Sequence, residues 1–232
     1  MSAKQDIYGG RDPRDVPLYS VADAAWYLGI PSATLRSWCS GRPYPTKRGS
    51  RHFPAVLELP KPGRLSFMNL VEAHVLDAIR RTHKLSLKQV RTAVKWLGSE
   101  GVDHPLAQKQ FMHDKSELFV EHLGEIYAAD GQEPIRDAIE RHLSRIEVDA
   151  KGFAVRLFPF ARTKMESKVV VIDPRISFGR PTLAGTGVPV DVIVERFRAG
   201  ESITELVDDY GCESVAVGEA IRLATRPAAS AA

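Results

Sequence analysis

The sequence contains 232 residues, of which 44% are hydrophobic and 26% are charged, and its formal net charge is +3. These proportions are typical of a soluble globular protein with two or three small domains. No apolar run approaches the length of a membrane span, and residues 1–15 lack the apolar core of a signal peptide. The two cysteines, Cys39 and Cys212, form neither a metal-ligand pair nor a disulfide framework, so we expect a cytoplasmic protein without a membrane partner.

The charges are distributed unevenly along the chain. Residues 24–71 contain seven basic residues and one acid, whereas residues 189–225 contain eight acids and three arginines. A cationic segment attracts the phosphates of nucleic acids, and an anionic segment repels them. We therefore expect the two ends of the chain to bind different partners.

The N-terminal region predicts two short helices around a tight turn. Ser20 and Asp23 have the Ser-x-x-acid spacing of a helix start, and apolar residues then recur at steps of three and four up to Leu28. Gly29 stands where a left-handed residue ends such a helix. This pattern indicates a first amphipathic helix that closes at the turn.

A second helix is expected from Ala33 to about Cys39, with Ser32 as its N-terminal cap. Leu35 and Trp38 share a face and should pack on the first helix. Two helices in this arrangement predict a helix-turn-helix, in which the second helix enters the DNA major groove. The alternative is a compact helical pair that only carries a core.

Candidate DNA contacts lie on the outward face of the second helix and in the basic segment that follows it. Arginine is the usual reader of guanine, so Arg36, with Thr34, would reach base edges or nearby phosphates. Residues 41–54 are basic and rich in turn residues and precede two strand-like runs, 55–59 and 64–67, which suits a wing that grips the phosphate backbone. The alternative for this run is a solvated loop. The predicted DNA-binding residues are Thr34, Arg36, Ser37, Arg42, Tyr44, Lys47, Arg48 and Arg51.

Residues 19–41 (YSVADAAWYLGIPSATLRSWCSG) resemble the DNA-binding region of MerR-type regulators, with a small-residue pair, a Leu-Gly turn and a Leu-Arg-x-Trp in the same order. Two further predicted helices, 68–83 and one that opens at Ser86, continue that resemblance. The long dimerisation coiled coil of MerR proteins has no counterpart, because no sustained heptad repeat follows. The resemblance implies a winged helix-turn-helix that binds DNA as a dimer, because operators commonly mirror a two-fold protein.

The middle of the chain predicts a small α/β unit with antiparallel strands. A hairpin is expected over 110–122, a helix over 133–145, and strands over 153–160 and 168–172. We expect this unit to serve as a scaffold or in dimerisation rather than in chemistry.

Three helices are expected at the C-terminal end. Pro189 and Asp191 should open the first, whose apolar residues are Val190, Ile193, Val194 and Phe197. Ser202 and Glu205 form a capping box for the second, and the third should begin at Ser214. The tail from residue 227 is expected to be disordered.

Four motifs in this last segment resemble a small helical domain of bacterial antitoxins. They are IleAspPro at 172–174, GlyArgPro at 179–181, AlaGlyThrGlyValProVal at 184–190 and AlaGlyGluSer at 199–202. Together with the MerR-like front end, AspGlyGln at 130–132 and LeuPheProPhe at 157–160, they make the chain similar to VapB-type antitoxins of type II toxin–antitoxin systems. The resemblance implies an antitoxin that neutralises a cognate PIN-domain (VapC-type) RNase toxin and represses its own operon by binding operator double-stranded DNA. It also implies a homodimer or a toxin–antitoxin hetero-oligomer.

A PIN nuclease holds its catalytic metal with clustered carboxylates, so an inhibitor can insert an arginine in place of the metal. The candidate toxin-binding residues are Arg175, Arg180, Arg222 and Arg226. For any single one of them the alternative is an ordinary surface arginine. The acidic helices could instead mimic the charge of RNA or dock on a basic toxin surface.

Nothing in the sequence favours an enzyme, a cofactor or a metal. The GTG in AGTGVP lacks the Lys and Ser/Thr of a P-loop, and His104, His113 and His122 are nine residues apart, a spacing that matches no helical metal pair. Two rival hypotheses remain: a MerR-like regulator with a C-terminal sensing or dimerisation domain, and an enzyme in the middle segment using Asp114 or Glu117.

We expect a mainly α fold with small β elements, divided into five segments. These are a flexible tail (1–16), a MerR-like winged helix-turn-helix domain (17–98), a small α/β middle unit (99–165), a three-helix, helix-turn-helix-like antitoxin domain (166–226) and a disordered tail (227–232).

Overall fold

The computed structural model describes residues 8–46, 49–83, 91–92, 94–95, 104–108, 142–159 and 168–225. Within these ranges the fold is mainly α, with six α-helices and four two-stranded antiparallel sheets. No helix in this part of the chain is long and apolar enough to cross a membrane. The predicted hairpin over 110–122, most of the predicted helix over 133–145, the helix start at Ser86 and the C-terminal tail lie outside the described residues.

The first helix of the helix-turn-helix, α1, spans Val21–Leu28 and follows a two-residue strand, β1, at Tyr19–Ser20. The Ser20 hydroxyl oxygen accepts a hydrogen bond from the Asp23 backbone N–H at 3.1 Å, and the hydroxyl donates to the Asp23 carboxylate at 2.6 Å. Gly29 is left-handed and ends the helix. The prediction of this helix is confirmed at both of its ends.

The second helix, α2, spans Ser32–Ser40 and begins one residue earlier than predicted. Pro31 is its N-cap, and no side chain caps the first turn, so the prediction that Ser32 caps this helix is wrong. Because Ser32 already occupies the first helical position, its hydroxyl is not placed to accept from the next turn. Leu35 and Trp38 are 0% and 1% exposed, which confirms their predicted packing.

The basic segment after α2 is itself a β-hairpin. Its strands are β2 (Arg42–Thr46) and β3 (Gly49–Phe53), and we call residues 42–53 the wing. The predicted strand over 55–59 is wrong, because the backbone N–H groups of Val56 and Leu57 both donate to the carbonyl oxygen of Trp38. Only Arg64–Leu65 (β4) is a strand in the predicted run 64–67, and it pairs with β1.

The long helix α3, Phe67–His83, is the centre of the first core, as its broad apolar surface predicted. Leu70, Val71 and Ile79 are fully buried there against α1, α2 and β4. Three described elements of the middle segment contribute to this core: the short 3₁₀ helix Pro105–Ala107, β5 (Ile146–Val148) and β6 (Ala154–Leu157). The strand predicted over 153–160 is therefore present but shorter.

The C-terminal helices form a second core of their own. Strands β7 (Val170–Val171) and β8 (Thr182–Leu183) precede α4 (Val190–Arg198), α5 (Ile203–Tyr210) and α6 (Ser214–Thr225). Pro189 is the N-cap of α4, and the Ser202–Glu205 capping box forms in both directions, as predicted. Phe197 is 39% exposed, whereas Ile193 and Val194 on the same helix are buried.

Candidate functional site

The exposed side of α2 presents one long cationic side chain. Arg36 is exposed, while Thr34 and Ser37 are half-buried. The Ser37 hydroxyl donates to the carbonyl oxygen of Thr34 at 2.8 Å, so it is already engaged by its own helix. Of the three predicted contacts on this helix, Arg36 is the one whose side chain is exposed.

A glycine at the end of α2 fixes the direction of the wing. Gly41 has a φ of +70°, and a Cβ at this position would lie 2.1 Å from the carbonyl oxygen of Phe53 and 2.6 Å from His52 Cε1. No L side chain fits such a close approach to backbone. The absence of a side chain therefore lets the first strand of the wing leave α2 directly.

The register of the hairpin places most of the described wing candidates on one face. Arg42 lies opposite Phe53, and Tyr44 opposite Arg51, and directly opposed residues in an antiparallel pair project to the same side. The Tyr44 and Phe53 rings stack with centroids 3.9 Å apart, and the Arg42 guanidinium carbon lies 6.0 Å from the Phe53 centroid. His52 belongs to the opposite face. Lys47 and Arg48, at the hairpin tip, lie outside the described residues.

The positive charge on this surface is not neutralised by an ion pair with any described residue. In the part of the chain that the structure describes, none of Arg36, Arg42 and Arg51 makes an ion pair. All three are exposed. An exposed, uncompensated cationic surface beside a helix-turn-helix attracts the phosphates of a duplex.

Two further arginines near the wing were missed by the sequence analysis. The Arg91 guanidinium lies 5.6 Å from the Phe53 ring, and that of Arg80, on α3, lies 5.8 Å from the Trp38 ring. A signal was present in the sequence, because residues 80–91 contain five basic residues (Arg80, Arg81, Lys84, Lys88 and Arg91). The positions of Arg80 and Arg91 beside Trp38 and Phe53 depend on tertiary packing.

The described candidate arginines of the C-terminal domain differ from those of the wing because each is paired with a carboxylate. Arg180 meets Asp191 at 3.0 Å, and Arg222 meets Glu219 at 3.1 Å. These ion pairs are exposed at the surface, where such pairs contribute little to stability. Arg226 lies outside the described residues.

Arg175 is anchored more firmly than the other two. It donates to Asp173 through its backbone N–H and its guanidinium, and Arg156 of β6 donates to the same carboxylate at 3.1 Å. Burial alone would raise the pKa of Asp173, but the hydrogen bonds from Arg175 and Arg156 outweigh burial and lower the pKa. The aspartate of the IleAspPro motif therefore links the C-terminal domain to the middle unit.

The remaining chemistry-bearing residues offer no catalytic arrangement in the described ranges. There, no group of three His, Cys, Asp or Glu residues could hold a metal ion. His104 Nδ1 lies 3.0 Å from the Glu72 carboxylate, while His113 and His122 lie outside the described residues. Burial raises the pKa of the Cys39 thiol to about 12, so it stays protonated at neutral pH.

A cleft of about 220 Å³ lies where α1 meets the C-terminal domain. Trp26 and Tyr27 line it from α1, and Val194 and Asp191 line it from α4. Pockets for drug-sized ligands are typically about 300–1,000 Å³, so this cleft has room for a side chain rather than for a nucleotide.

Comparisons with known proteins agree with this division of the chain. A family described as "Putative DNA-binding HTH domain" matches residues 17–94, which contain α1, α2 and the wing. A family described as "Protein of unknown function (DUF433)" matches residues 170–224, which contain the second core. The structure also resembles the crystal structure of Rv2018 from Mycobacterium tuberculosis, with a TM-score of 0.67, 26% sequence identity and coverage of 89% of this chain and 98% of that one.

A curated relative extends the similarity to nearly the whole chain. The protein "Putative antitoxin VapB45" from Mycobacterium tuberculosis (strain ATCC 25618 / H37Rv) is 32% identical over 222 residues, which cover 85% of this chain and 89% of that protein. The helix-turn-helix and the C-terminal domain are both needed to account for a match of this extent. The chain therefore belongs to the family of VapB-type antitoxins and carries a DNA-binding helix-turn-helix domain at its N-terminal end.

Proposed function

We propose that this chain neutralises a PIN-domain RNase toxin and represses its own operon by binding operator DNA. The observation that carries the proposal is the uncompensated arginine surface of α2 and the wing, in a chain of the VapB-type antitoxin family. In this proposal residues 17–98 bind DNA, residues 166–226 bind the toxin, and residues 99–165 join them. The chain acts by binding alone, without catalysis of its own.

On the DNA side, α2 enters the major groove and Arg36 contacts base edges. The wing lies along the phosphate backbone, where Arg42 and Arg51 supply charge from the same face as Tyr44. Lys47 and Arg48 extend this contact at the tip. A single nine-residue helix reads few bases, so two copies of the chain occupy a two-fold operator.

On the toxin side, the arginines of the C-terminal domain approach the carboxylates of the nuclease active site. Arg222 is the most accessible described candidate, with 69% of its side chain exposed. Arg180 and Arg175 would exchange or share Asp191 and Asp173 with carboxylates of the toxin. Such an exchange costs little at Arg180, because its present partner is itself exposed. Arg226 is the fourth candidate.

The two activities are separated by expressing the chain together with the neighbouring reading frame. The proposal predicts that this chain restores growth when the neighbour is toxic and co-purifies with it. A variant with Arg36→Ala and Arg51→Ala should still restore growth but lose repression of a reporter placed behind the upstream DNA. A variant with Arg180→Ala and Arg222→Ala should still repress the reporter but fail to restore growth. A wild-type chain that neither rescues growth nor binds the neighbour contradicts the antitoxin assignment and favours a transcription regulator of another kind.

A further inference from the structure

Unsatisfied hydrogen-bond donors accumulate where α2, the wing and α3 meet. Trp38 Nε1, Arg80 Nε and Arg91 Nε are buried and have no hydrogen-bond partner within the described part of the chain. The two arginines are on segments that the predicted DNA site does not include. All three groups are donors, so a ligand that completes their hydrogen bonding has to offer acceptors.

Three guanidinium groups surround two aromatic rings at this junction. Arg42 and Arg91 lie 6.0 and 5.6 Å from the centroid of Phe53, and Arg80 lies 5.8 Å from that of Trp38. The positive charge of Arg42 is close enough to act on Arg80. Stacking on an aromatic ring holds a guanidinium in place and leaves its edge free for an anion.

The charge of this arginine cluster, Arg42, Arg80 and Arg91, is not balanced by an ion pair with any residue that the structure describes. None of the three makes an ion pair in the described ranges. Burial lowers the pKa of Arg80 and Arg91, and the attraction of Asp77, one turn earlier on α3, does not restore that of Arg80. Among the described residues this positive charge is therefore unpaired in a partly desolvated place, where an anion would stabilise it.

We propose that Arg80, together with Arg42, binds a phosphodiester group of the DNA backbone at the base of the wing, with the buried charge of Arg91 behind them. The inference rests on the proposed DNA binding and adds a residue of α3 to it. A guanidinium presents paired N–H groups that match two phosphate oxygens. Arg80 stacks on Trp38 of α2, so the bound phosphate belongs to the duplex that α2 reads.

The test measures binding of the full chain to a duplex of the DNA upstream of its gene over a series of salt concentrations. Arg80→Gln is expected to weaken binding by about tenfold, the usual effect of losing one charge-assisted hydrogen-bonded contact. It should also reduce the slope of log affinity against log salt by about one unit, because one phosphate contact is lost. Arg80→Lys keeps the charge and should keep the slope. Arg198→Gln removes an equally charged, exposed arginine of α4 and should match the wild type.

The outcomes separate this inference from the proposed function. If Arg36→Ala weakens binding but Arg80→Gln behaves like Arg198→Gln, the phosphate site is wrong while DNA binding stands. If the wild-type chain does not bind the duplex at all, the proposed function itself fails.

A second measurement uses the wild-type chain and does not depend on the folding of a variant. Phenylglyoxal modification of arginines is followed by mass spectrometry with the duplex, with inorganic phosphate at the same phosphate concentration, and with neither. The duplex is expected to protect Arg80 and leave Arg198 reactive, and inorganic phosphate is expected to protect Arg80 less. Equal modification of Arg80 with and without the duplex, or equal protection by inorganic phosphate alone, overturns the assignment to the DNA backbone.

Discussion

The Cα of Gly179 packs against the hydroxyl group of Tyr19, so the C-terminal domain touches the first strand of the helix-turn-helix domain at this point. A Cβ at position 179 would lie 2.2 Å from Tyr19 Oη and 3.0 Å from its Cζ. Gly179 also has a φ of +72°, a conformation that L side chains rarely adopt. Nearby, the Tyr8 hydroxyl donates to the carbonyl oxygen of Pro174 at 2.6 Å. The glycine of the GlyArgPro motif thus has a structural role where the two domains meet.

Gly179→Ala is expected to destabilise the chain by about 2–4 kcal/mol, since it adds overpacking to backbone strain. Gly185→Ala is the matched control, because Gly185 has a φ of +83° but no atom within 4 Å of its Cβ position. Gly185→Ala should lower the free energy of unfolding by about 1 kcal/mol, which is the cost of the backbone strain alone. Urea unfolding of the two variants measures the difference. Equal losses would mean that the contact with Tyr19 carries no energy.

Ser202→Ala is expected to cost about 1 kcal/mol of unfolding free energy, because it removes the cap of α5. Ser32→Ala should be neutral or slightly stabilising, since Ser32 caps nothing and alanine is the better helix former. Thermal unfolding of both variants and of the wild type measures the two changes in stability. A larger loss for Ser32→Ala would show that the N-terminus of α2 is formed differently.

Asp173 is 1% exposed and depends on Arg156 and Arg175 for its compensation. Replacing both arginines with Gln is expected to cost about 2–3 kcal/mol, below the range for a fully buried pair because both guanidiniums reach solvent. Either single change should cost less than half of that, because the remaining arginine still meets the carboxylate. A double-mutant cycle in urea measures this, and strictly additive small losses would contradict the role of Asp173 as a shared anchor.

His74 is buried, and burial, aided by the neighbouring His142 and Arg145, lowers its pKa to about 3. In the unfolded chain an imidazole binds its proton near pH 6.5, so between these values the unfolded state holds more protons than the folded one. Stability is therefore expected to fall as the pH drops below about 6.5, by roughly 2 kcal/mol from this group at pH 5.

His74→Phe removes this titration, so its unfolding free energy should depend less on pH between 7 and 5 than that of the wild type. The measurement is urea unfolding at closely spaced pH values. Parallel curves for the variant and the wild type would show that His74 accepts a proton without unfolding.

The helix ends that depend on local chemistry could be predicted from the sequence. The caps at Ser20 and Ser202 and the turn at Gly29 involve residues at most four apart. The local sequence pattern therefore includes both partners of each hydrogen bond. The run 55–59 was misread because its apolar residues suggest a strand. The backbone N–H groups of Val56 and Leu57 instead donate to the Trp38 carbonyl oxygen, eighteen and nineteen residues earlier. A pairing of that kind is set by tertiary packing, which the pattern of one segment does not show.

The candidate site was predictable in its residue types and less so in its geometry. Arg36, Arg42 and Arg51 follow from the basic composition around a helix-turn-helix. Arg42, Tyr44 and Arg51 share a face only in the observed register of the hairpin. A shift of one residue would place Arg51 on the face opposite to Arg42 and Tyr44. Arg80 and Arg91 were missed because their proximity to Trp38 and Phe53 arises only in the tertiary structure.

The salt dependence of DNA binding tests the central claim, that an uncompensated arginine surface on α2 and the wing holds a duplex. The affinity of the wild-type chain for the upstream duplex is measured against that of the Arg36→Ala, Arg51→Ala variant at several salt concentrations. The account predicts weaker binding by the variant and a slope of log affinity against log salt that is flatter by about one unit, because Arg51 contacts a phosphate and Arg36 contacts base edges. The same affinity and the same slope for both proteins would contradict it.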